Sequence, residues 1–286
     1  MGLDIGRVHF WGVAMSGVHR DDCSIVDTTR RKFMMNESAV SLLVRPVTFA
    51  LAVALLASCG GNDDPSDVTY QGTVQALGNG TARSFVTLDG GGAPRAVGVT
   101  LTADALSNLP TSGTLPMVLA LPAQAASATV FNHVSLDWEA AGHDPAPIYG
   151  VPHFDVHVYL IGQAERQRIA FAPDEPAPAP EAIAEDYVST RTVVPGMGQH
   201  WFDPKDPNNA PGKFSNVLIY GYNQGRMIFV EPMITRAALL SRQSLSAQIK
   251  QPRVYPKPGY YPTRYTVSFD EPSRIYTITL DQMVQR

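Results

Sequence analysis

Pro152-His153-Phe154-Asp155-Val156-His157-Val158-Tyr159-Leu160 is the stretch that decides the fold. Polar and apolar residues alternate strictly along it, and β-branched and aromatic side chains dominate. That is the period-two signature of a strand with one face in a core. On a strand, successive side chains point to opposite faces. His153, Asp155, His157 and Tyr159 therefore share one face, and Phe154, Val156, Val158 and Leu160 share the other. Same-face neighbours stand about 7 Å apart. Two imidazoles with a carboxylate between them suit ligands for one ion, or an acid–base pair around a small molecule. The Asp also suits a supporting role, fixing an imidazole tautomer. The alternative is a polar strand face with structural hydrogen bonds.

The same alternation recurs outward from this strand. Further strands are predicted over Val68–Gln75, Arg83–Asp89, Arg95–Leu101, Leu115–Leu121, Thr129–Trp138, Ser215–Tyr222, Arg226–Val230, Arg264–Phe269 and Arg274–Leu280. Asn223-Gln224-Gly225 reads as a tight hairpin, and Asp270-Glu271-Pro272-Ser273 as a second short connection. Helices are expected over Thr102–Asn108 and Thr235–Ile249, and Gln163–Ala170 reads as either helix or strand. The Pro-rich stretch Ala172–Glu181 reads as an extended loop. Prolines spread through the chain break long helices and punctuate short strands. The fold class that follows is mainly β, an antiparallel sandwich or small barrel with one or two short helices, in a single domain over residues 68–286.

The N-terminal part reads as an address. Val47 to Ala57 is an apolar run of eleven residues broken only by Thr48. A membrane-spanning helix needs roughly 20 residues, whereas a signal-peptide core needs about 7–15. Leu56-Ala57-Ser58-Cys59 resembles a bacterial lipobox, in which the cysteine is lipidated and the preceding bond is cut. Residues 1–58 are then a signal region, with the true start expected at Met34 or Met35. Residues 59–67 are a lipidated tether containing Gly60-Gly61-Asn62-Asp63-Asp64-Pro65. By resemblance to envelope sorting, Gly60 after the cysteine favours the outer membrane, facing the periplasm. The expected partner at this end is lipid.

Counted from Cys59 the chain has 228 residues, with 16 Lys and Arg against 21 Asp and Glu. That balance lacks the basic footprint of a nucleic-acid binder. The domain after Cys59 holds no cysteine, which excludes thiolate chemistry. No Gly-x-Ser-x-Gly elbow and no phosphate loop occur.

All five histidines beyond Cys59 fall between His133 and His200. Besides the central strand, Gly196-Met197-Gly198-Gln199-His200-Trp201 places His200 in a predicted loop, as either a third ligand or a turn residue stacked on Trp201. Glu231 interrupts an apolar strand just before Pro232, where a carboxylate needs a partner. It can be a metal ligand, a general base or half of a salt bridge. His143, in Ala141-Gly142-His143-Asp144-Pro145, sits in the loop entering the central strand and can reach the same cavity or cap the turn. His133, on a different strand with Asp137 four residues on, reads as structural. Tyr149, Tyr159, Trp201, Tyr220 and Tyr222 are candidates to line a polar pocket.

These motifs together resemble an uncharacterised family of mostly exported bacterial proteins, a domain of unknown function. The resemblance rests on Leu136-Asp137-Trp138, Gly142-His143-Asp144-Pro145, Pro152 to Tyr159, Met197-Gly198-Gln199-His200-Trp201 and Phe229-Val230-Glu231-Pro232-Met233, and spans roughly Tyr70 to Arg242. Asp144 stands where Glu is expected, and Val158 where an aromatic is usual. The resemblance implies that His143, His153, Asp155, His157, His200 and Glu231 belong together, and it implies no reaction. A cupin offers only an analogy, since the spacing here is His-x-Asp-x-His. Neutral imidazoles with carboxylates suit a divalent transition metal, zinc foremost. The resulting expectation is an exported lipoprotein whose β domain binds such a metal. The alternative is a metal-free module that binds a small molecule or holds a homo-oligomer together.

Overall fold

The computed structural model describes residues 66–286. The signal region, Cys59 and the tether as far as Pro65 lie outside them. Among the described residues the strands, in chain order, are β1 (Val68–Gln71), β2 (Gln75–Leu77), β3 (Gly80–Leu88), β4 (Pro94–Thr102), β5 (Thr114–Ala120), β6 (His133–Glu139), β7 (His153–Tyr159), β8 (Val188–Val194), β9 (Gly198–Phe202), β10 (Asn216–Asn223), β11 (Arg226–Thr235), β12 (Leu245–Gln248), β13 (Tyr260–Tyr261), β14 (Arg264–Asp270), β15 (Ile275–Asp281) and β16 (Val284–Gln285).

Pairing is antiparallel throughout. One sheet has the order β1-β3-β4-β15-β14-β12, with β2 also on β3. The other has the order β5-β6-β7-β11-β10-β9-β8. β13 and β16 make a small separate ribbon. Neither large sheet closes on itself, so the barrel alternative gives way to a sandwich-like arrangement.

Alternation explains the main core. Val134, Leu136 and Trp138 of β6, Phe154, Val156 and Val158 of β7 and Val230 and Ile234 of β11 form one cluster with Val97, Val99 and Leu101 of β4 and Tyr276, Ile278 and Leu280 of β15. The inner faces of the two sheets thus pack on each other. The hairpin between β10 and β11 turns on Gln224 and Gly225, both at positive φ, with Asn223 opposite Arg226. Positive φ at both central residues fits the strand twist, and glycine at the second carries no steric penalty there.

Four short α-helices replace the one or two expected, at Ala123–Ala128, Ala146–Tyr149, Gln163–Arg166 and Arg236–Leu240. The region of Thr102–Asn108 is a single 3-10 turn, Ala103–Leu106. The helix expected to reach Ile249 stops near Arg242, which has φ 55°. The chain then forms β12, which pairs with β14 over Leu245–Gln248, and a short helix without a packed face is marginal by itself. β11 continues through Pro232, where proline has no N–H to give. Its register with β7 accordingly runs from Val230↔Val158 to Met233↔Asp155 without a bridge between them.

Candidate metal centre

The functional residues lie on the face of the second sheet that points away from the main core. Every residue of β6 and β7 is buried, so this face is polar but not solvated. Cross-strand register sets it out. Glu139 pairs with His153, Asp137 with Asp155, Ser135 with His157 and His133 with Tyr159. On the other flank of β7, Thr235 pairs with His153 and Met233 with Asp155. His200 enters from β9, opposite Gly221. A second apolar cluster roofs the face. It contains Tyr149, Ile161, Ile169, Val193 and Phe214, packed on Val217, Ile219, Phe229 and Met233.

His143 reaches this face from the loop before β7. Gly142 has φ +71°, and a Cβ there would stand 2.0 Å from the Tyr149 carbonyl oxygen. Only glycine allows the chain to fold back so closely. The His143 backbone N–H then donates to Tyr149 O at 3.3 Å, and the Tyr149 hydroxyl donates to Asn209 Oδ1 at 2.5 Å, tying the loop down.

Six predicted ligands separate into two groups. His143, His153 and Asp155 form one, and His157, His200 and Glu231 form the other; within each, one ligand atom per residue lies within 4.8 Å of the others. The expectation of one cluster around one ion is corrected accordingly. His153 belongs with His143, not with His157 and His200, because its ring and that of His157 extend from positions four residues apart on β7.

In the first group, His153 Nδ1 lies 2.6 Å from Val151 O, and His143 Nδ1 lies 2.8 Å from Asp144 O. A carbonyl oxygen only accepts, so both Nδ1 atoms carry the proton. When the rings are neutral, their Nε2 atoms present lone pairs to Asp155, at 3.0 Å from His153 to Oδ1 and 3.4 Å from His143 to Oδ2. At 3.0 Å, neither His153 Nε2 nor Asp155 Oδ1 has a hydrogen-bond partner, although both are buried. A tetrahedral ion with bonds of 2.0–2.1 Å separates its ligand atoms by about 3.3 Å. Burial opposes charge on His143, but the neighbouring Asp155 carboxylate prevails and pushes it up to about 9. Burial likewise opposes charge on Asp155, and the neighbouring His143 and His153 imidazoles hold it well below the usual carboxylate range.

In the second group, His157 Nε2 stands 3.3 Å from Glu231 Oε1, and His200 Nε2 stands 4.0 Å from Glu231 Oε2. The other ring nitrogen of His157 faces Asp137 Oδ2 at 3.2 Å, while Asp137 Oδ1 accepts from Ser135 Oγ at 2.7 Å. Both His157 nitrogens, Asp137 Oδ2 and Glu231 Oε2 are buried without hydrogen bonds. Burial raises Glu231 well above its ordinary range, and the Asp155, Asp137 and Glu139 carboxylates add to this. Burial, with His157 and His143 nearby, lowers His200 to about 3. Phe229 walls the group, 4.8 Å from the His157 ring and 5.5 Å from the His200 ring, centroid to centroid.

His200 lies on a strand, not in a loop. Its ring packs near His157 and Phe229, whereas Trp201 turns to the opposite face, into the main core. Tyr220 and Tyr222 go with Trp201 into that core, so only Tyr149 and Tyr159 of the pocket aromatics border the site. Asp137, absent from the predicted ligands, faces His157 directly. Its signal was present in the alternation His133, Ser135, Asp137, Glu139 against Val134, Leu136, Trp138. His133 stacks on Tyr159, with centroids 4.8 Å apart and 5° between the planes.

Fold and site together define an antiparallel β-sandwich with buried His/carboxylate groups on the outer face of one sheet. A family model described as TTHB210-like, "Hypothetical protein TTHB210", matches residues 89–138. The matched span includes Asp137 and ends before the first residue of either group. It is also shorter than the motif resemblance spanning Tyr70 to Arg242. No match was found among curated proteins or among solved structures.

Proposed function

We propose that the chain is an exported lipoprotein of the bacterial cell envelope whose β domain binds a divalent transition metal, zinc or one of similar chemistry. One observation carries the metal reading. His143 and His153 each donate Nδ1–H to a backbone carbonyl, which aims both Nε2 atoms at the Asp155 carboxylate and frees their lone pairs for a metal once any Nε2 proton is displaced. Lone pairs that face each other repel unless a proton or a metal ion lies between them, and three donors meeting at one point suit the metal ion. A backbone carbonyl on the far nitrogen is also the usual way to orient a metal-binding imidazole. Three protein ligands leave a tetrahedral ion one open position for water or a ligand oxygen. Nitrogen and carboxylate donors suit zinc, and also copper, nickel, manganese and iron. The address is supported by the eleven-residue apolar run, the Leu56-Ala57-Ser58-Cys59 motif and Gly60, which together favour a lipid anchor in the outer membrane, facing the periplasm.

Elemental analysis by mass spectrometry, after purification without chelator, tests the metal reading. The expected result is a transition metal bound to the chain, removed by chelator and restored by Zn²⁺ or Cu²⁺. A chain that is metal-free as purified and binds neither ion would refute it.

A further inference from the structure

We infer that the two groups hold two divalent ions side by side, one at His143, His153 and Asp155 and one at His157, His200 and Glu231, as a single two-ion centre. This deepens the metal reading above and rests on it.

Placement is the first reason. His153, Asp155 and His157 project from one face of one strand, so the nearest members of the two groups along it, Asp155 and His157, stand about 7 Å apart. No residue of the chain intervenes on that face of β7 between Asp155 and His157. The same buried face, under the same roof, holds both groups.

Charge is the second. Asp137, Glu139, Asp155 and Glu231 put four carboxylates on this buried face. Among the described residues, Asp137, Asp155 and Glu231 form ion pairs only with histidines, and no Lys or Arg stands within pairing distance of any of the four. Buried charge without compensation is costly. Metal binding requires deprotonated ligands, and with the histidines neutral and all four carboxylates ionised, one divalent ion leaves a charge of −2 on this face and two bring it to zero.

The unpaired atoms are the third. His153 Nε2 and Asp155 Oδ1 lack hydrogen bonds in the first group, and His157 Nε2 and Glu231 Oε2 lack them in the second, all in nearly fully buried side chains. A single ion can satisfy one set. Asp137, held by Ser135, backs His157 as a backbone carbonyl backs each histidine of the first group, so each group has its own orienting partner. Each ion keeps an open position for water or a ligand oxygen.

The test is stoichiometry in the full chain, purified in detergent and stripped of metal. Titration with Zn²⁺ followed by calorimetry and elemental analysis is expected to give two ions per chain. His143→Ala and His200→Ala are each expected to leave one, with the fold checked by circular dichroism. Loading with Cu²⁺ adds a readout that needs no variant, a half-field electron paramagnetic resonance line from two coupled ions. Saturation of the unaltered chain at one ion per chain, with no half-field line, would overturn the two-ion centre and leave the metal reading standing. Binding of no ion would overturn both.

Discussion

Asp137 offers a quantitative handle on the site, because it touches a proposed ligand without being one. If His157 binds an ion through Nε2, its Nδ1 carries a proton, and Asp137 Oδ2 at 3.2 Å is the acceptor. Ser135 Oγ, donating to Oδ1 at 2.7 Å, holds the carboxylate in place. Such outer partners are worth about 10–100-fold in metal affinity, or about 1.4–2.7 kcal/mol. Asp137→Asn keeps an oxygen facing Nδ1 but loses the charge, and the Ser135 hydroxyl can turn to accept from the new amide. Its effect belongs at the lower end, about tenfold. Asp137→Ala removes the acceptor and leaves a buried N–H unpaired, which belongs at the upper end, about a hundredfold. The assay is Zn²⁺ calorimetry with a competing chelator, in a His143→Ala background that leaves only the second group intact. His143 is half-buried on a loop, so the background change is mild. Affinities equal to the Asp137 parent in both variants, or a larger loss for Asn than for Ala, would refute the role given to Asp137.

Other expectations concern fold, packing and address. Burial, with Arg166 and His157 nearby, lowers His133 to about 4. The unfolded chain therefore binds the proton more readily, and stability should rise with pH from about 4 to 6.5 by up to about 3 kcal/mol. His200, lowered to about 3, adds to the same slope, so His133→Phe should reduce, not abolish, the stability difference between pH 4.5 and 7 in urea titrations. A Cβ at Gly221 would stand 2.1 Å from the Phe229 ring, which packs on His157 and His200. Gly221→Ala should cost about 1–3 kcal/mol by overpacking and weaken metal binding in the second group; an unchanged melting temperature would contradict this. Cys59→Ser should move the protein from the membrane fraction to the soluble periplasmic fraction, and continued membrane association would count against the lipid anchor.

The strand that decides the fold was legible because its information is local. Alternation alone put His153, Asp155, His157 and Tyr159 on one face, and that is where they are. The turn at Gln224-Gly225 was legible for the same reason. The division into two groups was not, because it depends on which strands flank β7 and in what register. Glu231 and His200 reach His157 only through the β11, β10 and β9 pairings. β8 and β9 escaped notice because their sequences, interrupted by Arg191 at positive φ and by Gly196 and Gly198, carry little regular alternation. Asp137 carries a local signal of the same kind. A carboxylate every second residue from an apolar set, on a strand beside a His/Asp strand, signals the same buried face. The helix after Thr235 shows the opposite limit, since local propensity over Ala237 to Leu240 could not reveal that Leu245–Gln248 finds a strand partner.

The central claim is that lone pairs of His143, His153 and Asp155 converge on a cation. An anomalous difference map at the zinc absorption edge, from crystals of the chain grown with Zn²⁺, tests it most directly. The account predicts a peak about 2.0–2.2 Å from both Nε2 atoms and an Asp155 oxygen, with both Nδ1 atoms still donating to Val151 O and Asp144 O. A zinc-saturated crystal with no peak there, and with the histidines hydrogen-bonded directly to Asp155, would contradict it.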